Sequence, residues 1–283
     1  MVAARGAESV RSGSRTPREG AAMSSALSAK GLCVSFGGVH AVRDVDLDVQ
    51  GGQLVGLIGP NGAGKTTTID AVTGFVPSSG SVQLDEQELS SMPANKRARR
   101  GLARTWQSIE LFDDLTVEQN VAVAAHHPPT LQVLKEMVLP PRPPGTKVME
   151  SLDLLGLADL RHRMPQELSQ GHRKLVGVAR AVAQGPRVLC LDEPAAGLDV
   201  NESLEFGERL RTLTREGIGM LLVEHDMGLV LSVCDHVVVL EFGKVIARGA
   251  PADVCRDPRV MEAYLGSSGE KLIKNAEIEV NHQ

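Results

Sequence analysis

Aromatic side chains are nearly missing from this chain: one Trp, one Tyr and five Phe make up 2% of its 283 residues. So few rings leave no series of platforms on which the bases of a single strand could stack. Positive charge is not in excess either. Lys and Arg number 30 against 35 Asp and Glu, a formal net charge of −5, so no general field holds a phosphate backbone and no nucleic-acid partner is expected. The four cysteines, Cys33, Cys190, Cys234 and Cys255, show no C-x-x-C spacing, which argues against a zinc site and points to reduced, mostly packed thiols. No apolar run approaches the length that crosses a bilayer. The first 25 residues carry Arg5, Glu8, Arg11, Arg15, Arg18 and Glu19 but no hydrophobic stretch. They do not read as a secretory signal, and their Ala/Gly/Ser/Arg content predicts disorder. Met23, just ahead of the first strand-like segment, is a candidate translation start.

What is present is concentrated in one stretch. Gly59-Pro60-Asn61-Gly62-Ala63-Gly64-Lys65-Thr66-Thr67 fits G-x-x-x-x-G-K-[ST], a loop whose successive backbone N–H groups converge on the phosphates of a nucleotide. Glycine is needed where the chain turns in a way a Cβ would block and comes close to an anion. Lys65 places a compact positive charge at the β- and γ-phosphates, and the Thr66 hydroxyl suits Mg²⁺. The helix that starts there turns its positive end to the same oxygens. The flanks agree: Gln53 to Ile58 is a short apolar run suited to a buried strand, and Thr68 to Val72 continues as helix.

Along the chain, Leu27 to Val49 alternates apolar and polar residues around Gly37-Gly38 and predicts two strands joined by a turn. Gly80 to Leu84 reads as another strand. From Pro93 to about Ala183 the pattern is mainly helical, interrupted by prolines at Pro128-Pro129 and from Pro140 to Pro144, with a short helix between them. Continuous apolar runs return at Val188–Leu191, Met220–Val223 and Val237–Leu240, the mark of a parallel sheet covered on both faces. The expected organisation is an extension over 1–25, an α/β nucleotide-binding domain over 26–266 with a helical subdomain inserted at about 93–183, and a polar tail over 267–283.

The strand ending in Asp192-Glu193 supplies carboxylates. In open parallel sheets ligands sit beyond the carboxyl ends of the strands, so these acids should face the phosphates. Asp192 suits Mg²⁺, directly or through water, and Glu193 suits polarising an attacking water. An acidic surface turn is the alternative reading of the pair.

Further segments carry a family resemblance. Leu168-Ser169-Gln170-Gly171-His172 lies ahead of that strand, Ala196-Gly197-Leu198-Asp199 follows the acids, and Glu224-His225-Asp226 closes the next strand. With Gln107 after Arg104-Thr105-Trp106, the set resembles the ATP-binding-cassette ATPases over about residues 27 to 265. The resemblance implies an α/β phosphate-loop fold of RecA-like type, with N-terminal antiparallel strands and an inserted helical subdomain. It also implies ATP and Mg²⁺ as ligands. Glu193, His225 and Gln107 would be catalytic, and Thr66, Gln107 and Asp192 would hold the metal. Ser169 and Gly171 would meet the γ-phosphate of nucleotide held by a second cassette, identical or related, with Asp199 bridging the two sites. Gln107 would also link to a transmembrane partner. Phe36 stands where the family stacks an aromatic on adenine, with core packing as the alternative; an ordinary strand-end role is the alternative for His225.

Three positions depart from the family pattern: Leu-Ser-Gly-Gly-Gln is here Leu-Ser-Gln-Gly-His, with Gln170 and His172 changed, and Trp106 replaces a common phenylalanine, read as core packing. The run Lys96-Arg97-Ala98-Arg99-Arg100 reads as a solvated helix face. Within the family, Val34 to Val42, Ala103 to Gln107, Leu115 to Val121, Leu222 to Val230 and Ala263 to Gly266 resemble one subgroup, the ATPase subunits of bacterial branched-chain amino-acid importers. That implies integral membrane permease subunits, an external solute-binding protein acting indirectly, and a peripheral location on the cytoplasmic face of the inner membrane. Ser108 to Phe112 is the expected groove for a permease helix. Cassettes for urea, short amides or lipid-linked export, and soluble cassettes outside transport, are the rival readings. A guanine-binding switch is disfavoured because the chain's Asn-Lys pair continues as Arg97-Ala98.

Overall fold

The computed structural model describes residues 25–105, 110–125 and 145–265. β1 (Ser25–Phe36) and β2 (Val39–Gln50) pair antiparallel across Gly37-Gly38, with Phe36 opposite Val39 and Leu27 opposite Val49. Val45, Leu47 and Val49 alternate inward, the period a half-buried strand requires. β4 (Ser79–Leu84) joins the other side of β1, and β5 (Gln87–Glu88) completes a sheet in the order β2-β1-β4-β5.

The second sheet holds β3 (Leu54–Ile58), β6 (Leu102–Arg104), β7 (Val188–Asp192), β8 (Gly219–Val223), β9 (His236–Glu241) and β10 (Lys244–Gly249). Their order is β10-β9-β3-β8-β7-β6, and every neighbouring pair is parallel except β9–β10. The continuous apolar runs follow from burial on both faces. Val188 and Cys190 pack with the antiparallel sheet and α1 (Lys65–Thr73), while Leu189 and Leu191 face the other core. That second core is closed by α3 (Val117–Ala125), α4 (Thr146–Leu154), α5 (Gln170–Val182), α6 (Val200–Arg215) and α7 (Met227–Val233). α8 (Pro251–Cys255) and α9 (Pro258–Leu265) follow β10.

Two features differ from the sequence reading. The stretch read as mainly helical contains β6, an edge strand of the parallel sheet, because Leu102 and Ala103 are buried while three residues are too few to display a period. The basic run is not all solvated. Arg97 of α2 (Ala94–Arg99) is buried, and its guanidinium donates to the carbonyls of Ala71, Val72, Ser90 and Met92, whereas Lys96, Arg99 and Arg100 are exposed. It closes the last turn of α1, whose end carbonyls have no helical partner. The proposed N-terminal extension before residue 25, the proline-interrupted segment with its short helix, Trp106, Gln107, Ser108 and the polar tail lie outside the described residues.

Candidate active site

The carboxyl ends of β3, β7 and β8 lie side by side, and the loop after β3 crosses them. Its backbone explains its glycines. Gly64 has φ of 101°, and a Cβ there would stand 2.6 Å from the Ala41 carbonyl oxygen; at Gly59 the corresponding clearance from the Leu240 oxygen is 2.1 Å. The loop's carbonyls are used internally. Lys65 Nζ donates to Gly59 O at 2.7 Å and Pro60 O at 3.2 Å, Thr68 N donates to Gly64 O, and Gly243 N donates to Ala63 O. The amides opening α1 have no intrahelical acceptor, so the loop offers donors outward. Asn61, Gly62 and Thr66 are exposed, and Pro60 and Thr67 are half-buried.

Lys65 is itself buried, and burial lowers its pKa while the charges of Glu193 and Asp192 oppose that shift. The three charged groups therefore share one site. Burial raises the pKa of Asp192, whose Oδ2 accepts from Arg104 Nη2 at 2.9 Å; its Oδ1 is buried with no hydrogen-bond partner among the described residues. Glu193 turns sharply off the strand with φ of 47°, a left-handed conformation that is uncommon for a residue with a Cβ. It is held there by its N–H on Val223 O at 2.9 Å and by Ala196 N donating to its carbonyl. Conformations of this kind cluster where surrounding structure fixes a functional side chain.

Because Asp192 pairs with Val223, the residues that follow β8 run beside Glu193. Glu224 is 1% exposed and accepts N–H donors from Ala195 at 2.8 Å and His225 at 3.3 Å; burial raises its pKa. Lys174 of α5 is buried, its pKa lowered by that burial and partly restored by the charge of Glu224. His225 projects outward, its side chain 59% exposed with Nδ1 3.8 Å from Glu224 Oε2.

Ser169, Gly171 and Asp199 form a second group, with Ser169 and Asp199 exposed and Gly171 half-buried. Ser169 caps α5: its Oγ accepts from His172 N at 3.2 Å and lies 3.0 Å from the ring nitrogen His172 Nδ1. Asp199 caps α6 through Glu202 N at 2.9 Å, and a Cβ at Gly197 would come within 2.9 Å of Gln170 Nε2. Among the described residues no hydrogen bond or ion pair ties Ser169, Gly171 or Asp199 to Lys65 or Asp192. Phe36, at the tip of β1, is 53% exposed, which removes the core-packing alternative. Gln107 is outside the described residues.

Sequence reasoning gave no separate role to Arg104, Asp70, Lys174 or Glu224. Arg104 alone had a visible signal, a cation sharing strand parity with Leu102 on a face that otherwise packs into the core.

Against this geometry, the family described as ABC transporter matches residues 42–196. The chain belongs to the ABC transporter family of ATP-binding cassettes. The cassette binds nucleotide and hydrolyses ATP to power transport, the activity of that family. A second match, to the family described as Branched-chain amino acid ATP-binding cassette transporter, covers residues 244–270. The cassette is 38% identical to the high-affinity branched-chain amino acid transport ATP-binding protein BraF of Pseudomonas aeruginosa, over 86% of this chain and 98% of that protein. It is 35% identical to the lipopolysaccharide export system ATP-binding protein LptB of Escherichia coli, over 85% and 97%. Its fold matches the crystal structure of the ADP conformation of an ATP-binding cassette of an ABC transporter, with a TM-score of 0.76 and 29% identity over 86% of this chain and 99% of that one. No helix among the described residues is long and apolar enough to cross a membrane.

Proposed function

We propose that this cassette energises uptake of branched-chain amino acids, working with a second cassette, identical or related, and with separate integral membrane permease subunits fed by an external binding protein. The observation that carries the solute class is the match of residues 244–270 to the branched-chain cassette family, a segment outside the catalytic core. Similarity to LptB makes lipid-linked export the rival reading, and that terminal match favours the importer. The chain works at the cytoplasmic face of the membrane, held there by its partners.

The absence, among the described residues, of any hydrogen bond or ion pair from Ser169, Gly171 or Asp199 to Lys65 or Asp192 agrees with a site completed by two chains. The first turn of α1 and Lys65 bind the β- and γ-phosphates of ATP, and Phe36 offers its exposed ring to the adenine. The partner's copy of the turn at Ser169 brings a hydroxyl and a helix N-terminus to the γ-phosphate. Glu193 orients water and takes its proton as the oxygen attacks phosphorus, and His225 helps position that water. The bond to the β-phosphate oxygen breaks, and Lys65 balances charge on the leaving ADP.

Asp192 Oδ1 fits a hard cation: it is a buried, unpartnered carboxylate oxygen at the end of β7. Asp192 and Thr66, together with Gln107, would hold Mg²⁺, which when bound neutralises phosphate charge. The test is uptake of labelled leucine in cells with and without the gene, alongside copurification of the tagged protein in mild detergent. Loss of leucine uptake is the expected result; intact leucine uptake with impaired handling of another solute overturns the solute class.

A further inference from the structure

Arg104 is buried under α1 with its side chain 6% exposed, and its guanidinium is engaged on three sides. Nη1 pairs with Asp70 Oδ1 of α1, Nη2 donates to Asp192 Oδ2 of β7 at 2.9 Å, and the guanidinium carbon lies 5.6 Å from the centroid of the Phe75 ring. Arg104 pairs with Cys190 in the β6–β7 register, so Asp192 is its diagonal neighbour on the same sheet face.

We propose that Arg104 is a positioning residue for the metal-holding carboxylate, tying Asp192 to the phosphate-binding helix through Asp70. The proposal rests on the reading of Asp192 as a metal ligand. A rigid planar fork can hold two carboxylates at a fixed separation and orientation, whereas an ammonium acts as a point charge. With Oδ2 occupied by Arg104, Asp192 presents Oδ1, the oxygen without a partner. The same fork sets the position of that oxygen relative to α1, whose N-terminus meets the phosphates. Without Arg104, Asp70 and Asp192 lose the cation that lies between them, and Asp192 loses the group that fixes its plane.

The experiment measures Mn²⁺ binding to the full-length protein with ATP by electron paramagnetic resonance, and nucleotide binding in EDTA by a fluorescent ATP analogue. Arg104→Met is expected to weaken Mn²⁺ binding by about tenfold, the usual scale for an outer partner of a metal ligand, with metal-free nucleotide binding unchanged. Asp70→Asn, a milder change at a partly exposed residue, moves Mn²⁺ affinity in the same direction and decides the matter if Arg104→Met does not fold. Asp192→Asn is the control. Mn²⁺ affinity at the wild-type value in Arg104→Met and Asp70→Asn, with affinity lost in Asp192→Asn, overturns the role of Arg104. Mn²⁺ affinity preserved in Asp192→Asn overturns the metal reading itself.

Discussion

Glu224 Oε1 accepts the N–H of Ala195 at 2.8 Å, so a carboxylate buried at the end of β8 holds the turn that follows Glu193. Burial raises its pKa, outweighing the N–H donors and the neighbouring His225. A carboxyl with a folded pKa above its unfolded value favours the folded state fully below the unfolded value, about 4.5. That contribution is lost as pH rises through the raised folded value. Glu224→Gln keeps an acceptor for Ala195 and mimics the protonated acid. Urea unfolding should therefore give matching stabilities for the two proteins near pH 4 and a variant that gains on the wild type as the pH is raised to neutral. A difference that shrinks over that interval would reverse the assigned sign.

Glu193 is held at φ of 47° by backbone bonds on both sides, so its side chain can be changed without releasing the turn. Glu193→Gln should bind ATP normally, hydrolyse it about 10²–10⁴-fold more slowly and accumulate as an ATP-loaded dimer. Single-turnover hydrolysis and size-exclusion chromatography with ATP read both effects. Turnover at the wild-type rate would remove Glu193 from the role of base.

The elements most legible in the sequence were those with strong local rules. The phosphate loop declared itself through glycines at Gly59 and Gly64 that the backbone requires, and β7 through an apolar run ending in acids. Partnerships between distant elements were not legible. Arg104 and Asp70 are 34 positions apart, Glu224 and Ala195 are 29 apart, and nothing local marks either pair. β6 was hidden because an edge strand of three residues has no measurable period. The turn at Ser169 could be located, yet that its hydroxyl caps α5 through His172 N, while Lys65 is held by Gly59 O and Pro60 O, is seen only in the fold.

Phe36 separates binding from stability. Its ring is 53% exposed and belongs to neither core cluster, so truncation removes little buried area. Phe36→Ala should lower ATP affinity by about 1–3 kcal/mol, the range for an aromatic stacked on a base, while the thermal midpoint stays within error of the wild type. Equal affinities for ATP in the two proteins would show that adenine stacks elsewhere.

Arg97 presents the opposite case, a charged residue whose loss should be felt in folding. Its guanidinium satisfies the carbonyls of Ala71, Val72, Ser90 and Met92, and a Cβ at Gly74 would meet its Nε at 2.7 Å, so the group is fitted against the end of α1. Burial lowers its pKa, with the charge of Glu88 opposing the shift. Arg97→Met keeps much of the volume but removes the donor from the carbonyls of Val72, Ser90 and Met92, while Ala71 O keeps the Gly74 N–H; with each unmade buried bond costing about 1–3 kcal/mol, a loss of at least about 2 kcal/mol is expected. Arg99→Met and Arg100→Met, on the exposed side of the same basic run, should stay within about 0.5 kcal/mol of the wild type. Chemical denaturation of the three variants distinguishes the cases: equal, small losses at all three positions would mean that the run acts as a solvated face after all.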